Sequence, residues 1–506
     1  MISKLVKLFK ESFIYSTGSL LVKFGGFLIM PLYIDYTTPD EFGLIMLFEI
    51  IHQFTQSISG WGIKGGFQRW YYDMPNKESK KSLFFSTFFS TFFTSLLAIA
   101  VTYTALLFYS YDILQYYVST KVITLFIMAS LLKMLSDVPF ILIRLQQKPV
   151  KQTAYQTLNI LLTLIATFIA LQYLKLGLEG IYWGQLIANG ITMVTLLPLI
   201  VTNSKWRYNG KRVVEMMKFG APLVLSNVMI IIFSLSDRYI IAHFKSLEDV
   251  GSFSLAFKIS SVIQFVVLMP FFTSYSYDYY RYMNEPTKDR YYIKSFTYFI
   301  YLMTFAGLGV TLFAKEALFL LSAGSDYYYD AMLLIPIMIV GVIISGMRMV
   351  FSLPLQKTKR TKIISTILVI SGLLNFILNI LVIPKWGKIG AAFTTTISQL
   401  FASIWFYQII KKQEDDTYEL NKIFKIMLIG SFLMYLYIFI PKASILIDII
   451  LKITFIPLMI FLMYIFKCFE AIEIRKVKKN IIKWKNPSNW TENINQLKNL
   501  NRDDRE

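Results

Sequence analysis

The chain has 506 residues, 55% of them hydrophobic and only 16% charged, and a formal net charge of +20. A soluble protein of this length needs more charge to cover its surface, so the composition points to a chain that crosses a bilayer many times. The single cysteine, Cys468, excludes an internal disulfide, a thiolate metal cluster and a CxxC redox pair, and two histidines, His52 and His243, leave little for a histidine-rich metal centre.

The excess of basic charge falls in short loops between apolar stretches, which is the pattern of membrane topology and not of a nucleic-acid surface. Residues 1–11 form a basic arm with Lys4, Lys7 and Lys10, and no small-residue cleavage site follows it. The first apolar stretch, 12–34, is long enough to span, since a spanning helix needs about 20 residues. It carries Lys23 at its midpoint among Gly18, Gly25 and Gly26. An ammonium at that depth costs about 3 kcal/mol or more in lipid, so Lys23 is expected to face a wet or charged interior.

Windows of about 19 residues give about 14 transmembrane helices. After the first they fall near 43–63, 82–108, 120–144, 153–173, 180–202, 214–236, 250–273, 292–314, 331–352, 363–383, 391–410, 422–440 and 445–467. Lys/Arg-rich connections alternate with poor ones such as DYTTPDEFG and SAGSDYYYD, an alternation that places both termini in the cytoplasm. Residues 468–485 read as a basic amphipathic segment for the membrane face, and the remainder, rich in Asn and charge, as disordered.

Three pairs of segments repeat at nearly one offset. Pro39-Asp-Glu-Phe-Gly43 matches Leu247-Glu-Asp-Val-Gly251, Leu145-Gln-Gln-Lys148 matches Leu355-Gln-Lys357, and Gly177 to Gly180 matches Gly387 to Gly390. A six-helix unit is thus duplicated, and an even helix number makes the copies parallel, with a substrate site expected between them. The predicted fold is an all-α polytopic membrane protein. A six-helix lobe spans 12–213, a second spans 214–411, an extra helix pair occupies 412–467, and a tail runs from 468 to 506.

The order of these motifs resembles the polysaccharide-transporter branch, the lipid-linked oligosaccharide and O-antigen flippases, of the multidrug/oligosaccharidyl-lipid/polysaccharide exporter superfamily. The residues that carry the likeness are Asp40 to Gly43, Gly60 to Ile63, Asp237-Arg238, Glu248 to Gly251, Gln356-Lys357 and Gly387 to Gly390. The resemblance implies movement of an undecaprenyl-pyrophosphate-linked glycan unit across the bacterial cytoplasmic membrane. It also implies a cationic cavity between the lobes, and as partners the membrane lipids and other membrane proteins of polysaccharide assembly. In lipid-carrier flippases of the superfamily a basic residue of the first helix and one of the eighth line the cavity. Lys23 and Lys258 occupy comparable places.

Each intramembrane charge has a sharper and a plainer reading. Lys23 and Lys258 would grip a diphosphate from opposite lobes, or Lys258 would pair with a glutamate, Glu49 standing next to its repeat counterpart Ile50. Glu49 and His52, three apart, share a face and either respond to a coupling ion or balance a lysine. Lys133 and Asp137, four apart, are expected to pair with each other. Arg348 is a candidate for the cytoplasmic mouth of the cavity, and Asp237-Arg238 for a structural lock at an outer helix end. No GxxxxGK[ST], HExxH or GxSxG motif occurs, so neither ATP hydrolysis, covalent catalysis nor a cofactor is expected. A cation-coupled multidrug exporter of the same superfamily, or a membrane glycan polymerase or ligase, stands as the alternative.

Overall fold

The computed structural model describes residues 25–281, 288–358, 360–411, 418–441, 444–471 and 474–475. Lys23, the basic arm and most of the tail lie outside the described residues. What is described is helical almost throughout. In chain order the elements are α1 (25–36), α2 (Pro39–Ser59), α3 (Ile63–Trp70), α4 (Lys77–Leu114), α5 (Thr120–Leu145), α6 (Pro149–Phe168) and α7 (Gly177–Asn203). They continue with α8 (Gly210–Phe244), α9 (Leu247–Ile263), α10 (Met269–Arg281), α11 (Lys288–Leu312), α12 (Ala314–Leu321), α13 (Leu334–Lys357), α14 (Thr361–Lys411), α15 (Leu420–Phe439) and α16 (Ile445–Ile465).

Among the described residues, ten helices are long and apolar enough to cross a membrane. The expected count differs for identifiable reasons. The eleventh and twelfth spans merge into α14, which runs for 51 residues and breaks at Gly387, where φ is +54° and ψ −140°. The second and seventh expected spans are the helices α2 and α8, which are not among the ten. The first span falls mostly outside the described residues.

These helices fall into two compact units: α1 to α10 with α12 to α14, and α11 with α15 and α16. The sequence reading had assigned the helix near 292–314 to the second lobe, whereas α11 belongs to the unit of the last pair. In that smaller unit a Cβ on Gly430 would overlap the Thr304 methyl, so α15 and α11 touch nearly backbone to backbone, as small residues allow in membranes. Lys294 bridges Glu419 and Glu470, and Tyr301 stacks on Phe469 at 5.5 Å. Lys452 reaches Asp448 at 2.7 Å, one turn back on α16, so this intramembrane lysine has its counter-ion on its own helix.

In the larger unit the duplicated motifs have a shared mechanical role. Thr38 caps α2 by accepting from the Glu41 amide at 3.3 Å, and the Glu41 carboxylate accepts from the Thr38 amide at 2.9 Å, a reciprocal capping box. At the repeat-related place Ser246 caps α9 by accepting from the Asp249 amide at 3.1 Å. The two helix starts then pack on each other. The Glu248 amide donates to Asp40 Oδ1 at 3.2 Å, a Cβ on Gly43 would overlap the Leu247 carbonyl, and one on Gly251 would meet Phe42 at 2.9 Å. Glycine is required here because α2 and α9 approach through their backbones.

A second close approach lies just past the other end of α2. Gly62 sits at φ +81°, a left-handed conformation that glycine adopts without strain, and its backbone abuts that of Gly220 in α8. Around this end a cluster of Ile63, Phe67, Phe84, Val138, Leu142, Leu196 and Met216 is buried almost completely. The fourth and tenth expected spans, α5 and the segment Tyr328–Lys357, each have 67% of their apolar window buried, whereas α16 has 11%. The first two are therefore the central helices of the repeated units, and α16 offers most of its surface to acyl chains.

Candidate functional site

Among the described residues of the larger unit, a cavity opens in each copy of the repeat. The first, about 410 Å³, is lined from α1, α2, α5, α6 and α7, and Lys258 of α9 reaches into it. The second, about 350 Å³, is lined from α8, α9, α13 and both halves of α14. The linings are repeat-equivalent, so the duplication seen in sequence produces a duplicated hollow.

The first cavity gathers most of the charges singled out above. Glu49 and His52 face it from α2, Lys133 and Asp137 from α5, and Lys258 from α9. Lys258 Nζ lies 3.8 Å from Glu49 Oε2, an ion pair too long to be a hydrogen bond. Burial covers His52 to 7% exposure, yet neither ring nitrogen has a hydrogen-bond partner among the described residues.

The expected pairing of Lys133 with Asp137 is not what forms. Asp137 is taken by Lys64 of α3 at 2.6 Å and by both of its oxygens from Gln56 Nε2 at 3.2 and 3.0 Å. Lys64 follows the second expected span in sequence, and α3 turns it back toward Asp137, where its side chain is 19% exposed. Lys133 is left exposed to the cavity with no carboxylate at ion-pair distance among the described residues. Counting Lys64, which pairs with Asp137 from behind the lining, three lysines stand against two carboxylates at this cavity among the described residues, and Lys133 is the one left over.

The Lys64–Asp137 pair is partly buried, so removing one partner strands the other. Asp137→Asn is expected to destabilise the protein by about 2 kcal/mol, below the roughly 3–5 kcal/mol of a fully buried pair. Thermal unfolding in detergent should show the lowered midpoint, and the Lys64→Met, Asp137→Asn double variant should recover most of it.

The remaining candidates lie elsewhere. Arg348 is in the second cavity, where Nε donates to Gln399 Oε1 at 2.9 Å, so it does not share a chamber with Lys258 as the mouth assignment required. Asp237 lines that same cavity. The Asp237-Arg238 pair does not end its helix either, because α8 continues to Phe244 and both residues are buried in its interior. Arg238 donates to Ser254 at 3.0 Å and lies over Phe253 and Phe257, at 5.4 and 4.6 Å from the ring centres, which ties α8 to α9.

Sequence reasoning missed the polar wall of the first cavity. Gln156 and Asn159 on α6, and Gln185 and Asn189 on α7, all line it. A signal was present: the first two are three apart and the second two four apart, so each pair shares a helix face within an apolar span.

A sequence family described as "Polysaccharide biosynthesis protein" matches residues 37–280. No curated protein sequence matches the chain. Among solved structures, the lipid II flippase MurJ in an inward closed conformation is similar with a TM-score of 0.70. It is 14% identical, and the match covers 89% of this chain and 99% of that one. An inward-facing multidrug resistance MATE family transporter of the MOP superfamily is similar at a TM-score of 0.61 and 14% identity, over 78% of this chain and 95% of that one. The Vibrio cholerae MATE transporter VcmN, as its D35N mutant, follows at a TM-score of 0.52 and 15% identity, over 81% and 98%. At these identities the structural likeness speaks for the fold, and the family match for a likeness to polysaccharide-biosynthesis proteins over residues 37–280. Together with the apolar helices, they make this chain a multi-pass helical membrane protein whose fold is similar to that of these transporters, with residues 37–280, just under half of its length, similar to the polysaccharide-biosynthesis family.

Proposed function

We propose that this chain is a flippase for an undecaprenyl-pyrophosphate-linked oligosaccharide, working by alternating access in the bacterial cytoplasmic membrane with both termini in the cytoplasm. The glycan is a repeat unit for surface polysaccharide. The observation that carries the reading is one chamber lined by a cation from each repeat: Lys133 from the first and Lys258 from the second. A diphosphate bound there would meet Lys133, which has no carboxylate partner among the described residues, and would compete with Glu49 for Lys258. Charge-assisted hydrogen bonds of this kind hold phosphate oxygens in a medium where an isolated charge is costly. Lys23 belongs to the same proposal on its place in the sequence alone, outside the described residues. Glu49 and His52 serve as the charge-balancing or coupling pair, and Arg348, in the other cavity, stands outside the grip.

The two glycine contacts suit the cycle. Gly43 against Leu247 and Gly62 against Gly220 flank opposite ends of α2, a 21-residue helix, with Glu49 and His52 between them. Separating one contact while keeping the other would open the chamber to one leaflet at a time. The prenyl chain remains in lipid, and no step requires nucleotide hydrolysis or a covalent intermediate.

Reconstitution in liposomes tests this reading directly. Lipid-linked glycan loaded in the inner leaflet should become accessible at the outer surface only when the chain is present. Export of cationic dyes at a comparable rate, with no movement of the lipid-linked glycan, would instead establish the multidrug-exporter alternative.

A further inference from the structure

The wall of the first cavity carries more unpaired polar chemistry than a diphosphate grip uses. Tyr182, under 2% exposed, lines the cavity with a hydroxyl that has no hydrogen-bond partner among the described residues. Gln156 makes no hydrogen bond to any described residue, and Gln185 uses only its nitrogen, which donates to the Tyr33 hydroxyl at 3.1 Å. The neighbouring amides are held in place instead. Asn159 donates to Asn189 Oδ1 at 3.0 Å and to Thr192 at 2.9 Å, while Asn189 donates to the Ala129 carbonyl at 3.0 Å. A rigid pair of asparagines thus backs two glutamines and a tyrosine with hydrogen-bonding capacity left over.

The chemistry of these groups selects a class of ligand. An amide donates and accepts side by side, which matches vicinal hydroxyls, whereas a second anion would call for more cations and a drug cation for unmatched carboxylates. Phe126 and Phe140 line the same cavity and give apolar surface for the carbon face of a sugar ring. The volume, about 410 Å³, falls within the roughly 300–1,000 Å³ of small-molecule sites. A site built to hydrogen-bond hydroxyls also rejects ligands that lack them, because its buried polar groups are then left without partners.

We propose that Gln156, Gln185 and Tyr182 form a sugar-recognition wall that reads the hydroxyl pattern of the glycosyl residue next to the diphosphate. The inference rests on the diphosphate reading above, and its test separates the two. The full chain in lipid nanodiscs is titrated with two probes: undecaprenyl diphosphate, and the undecaprenyl-diphosphate-linked glycan purified from the cells that encode this chain. Gln156→Leu and Tyr182→Phe each remove one hydrogen-bonding group without breaking a bond present in the structure, so neither is expected to disturb folding. Each should weaken binding of the glycan-bearing probe about tenfold and leave undecaprenyl diphosphate binding within about twofold. Equal losses for both probes would overturn the sugar wall, and so would no loss for either, the result expected of a chamber filled by water alone. A wild-type chain that fails to bind undecaprenyl diphosphate while still binding the glycan-bearing probe would strike the diphosphate reading and spare the wall.

Discussion

Replacing both Lys133 and Lys258 by alanine is expected to abolish movement of lipid-linked glycan and to weaken undecaprenyl diphosphate binding by at least about 100-fold. Each lysine would supply a charged hydrogen bond worth roughly 1.5–3 kcal/mol, and two such losses exceed the 2.7 kcal/mol of a hundredfold change. The single variants should differ. Lys133→Ala removes a cation without a carboxylate partner among the described residues and should leave folding intact. Lys258→Ala leaves Glu49 without its counter-ion at 3.8 Å, so it should lower thermal stability as well as binding. Lys133→Arg should keep most of the activity, because charge and donors remain. Full surface glycan in cells carrying only the double variant would remove these lysines from the mechanism.

The second large effect is expected at the glycine contacts. Gly62→Ala meets two penalties: a left-handed backbone that costs alanine about 1–2 kcal/mol, and overlap of the new methyl with the Gly220 backbone. Gly43→Ala meets only the overlap, against the Leu247 carbonyl. Neither obstacle is a flexible side chain, so relief requires moving a helix. Each variant should therefore favour a conformation in which its own contact is parted. Transport should fall at least tenfold in both, with Gly62→Ala the more destabilised. A cysteine placed at Ser136, which lines the first cavity, in a Cys468→Ser background, should react with an impermeant maleimide from opposite membrane faces in the two variants. Labelling from one and the same face in both would contradict opposite-end gating.

Much of the architecture was legible because the chain states it twice. The offset of about 208 residues between Pro39–Gly43 and Leu247–Gly251 anticipated a parallel duplication, and the structure shows why the motif persists: cap, acid and glycine are all used where the copies meet. The Gly387 to Gly390 boundary likewise appears as the break in α14. Repeat alignment even set Lys258 beside Glu49, the pair that forms.

Partner choice across distance was less legible. Spacing alone offered Lys133 to Asp137, but a residue four positions away competes with anything the fold delivers, and α3 delivers Lys64 from 73 residues upstream. The division of Arg348 from Lys258 also depended on the presence of two hollows, which no helical period reveals. The polar wall was overlooked because each amide, taken singly, looks like one tolerated polar residue in an apolar span. Only the convergence of α6 and α7 makes four of them one surface.

Glu49, standing 3.8 Å from Lys258, holds the position that the proposed anionic passenger would take. A carrier that runs in one direction must also make the homeward journey with nothing aboard, and a bare ammonium would make that leg the harder one. On the proposed reading, a resident carboxylate that pairs with the ammonium once cargo departs would even out the two legs, so that resetting would meet no higher barrier than delivery.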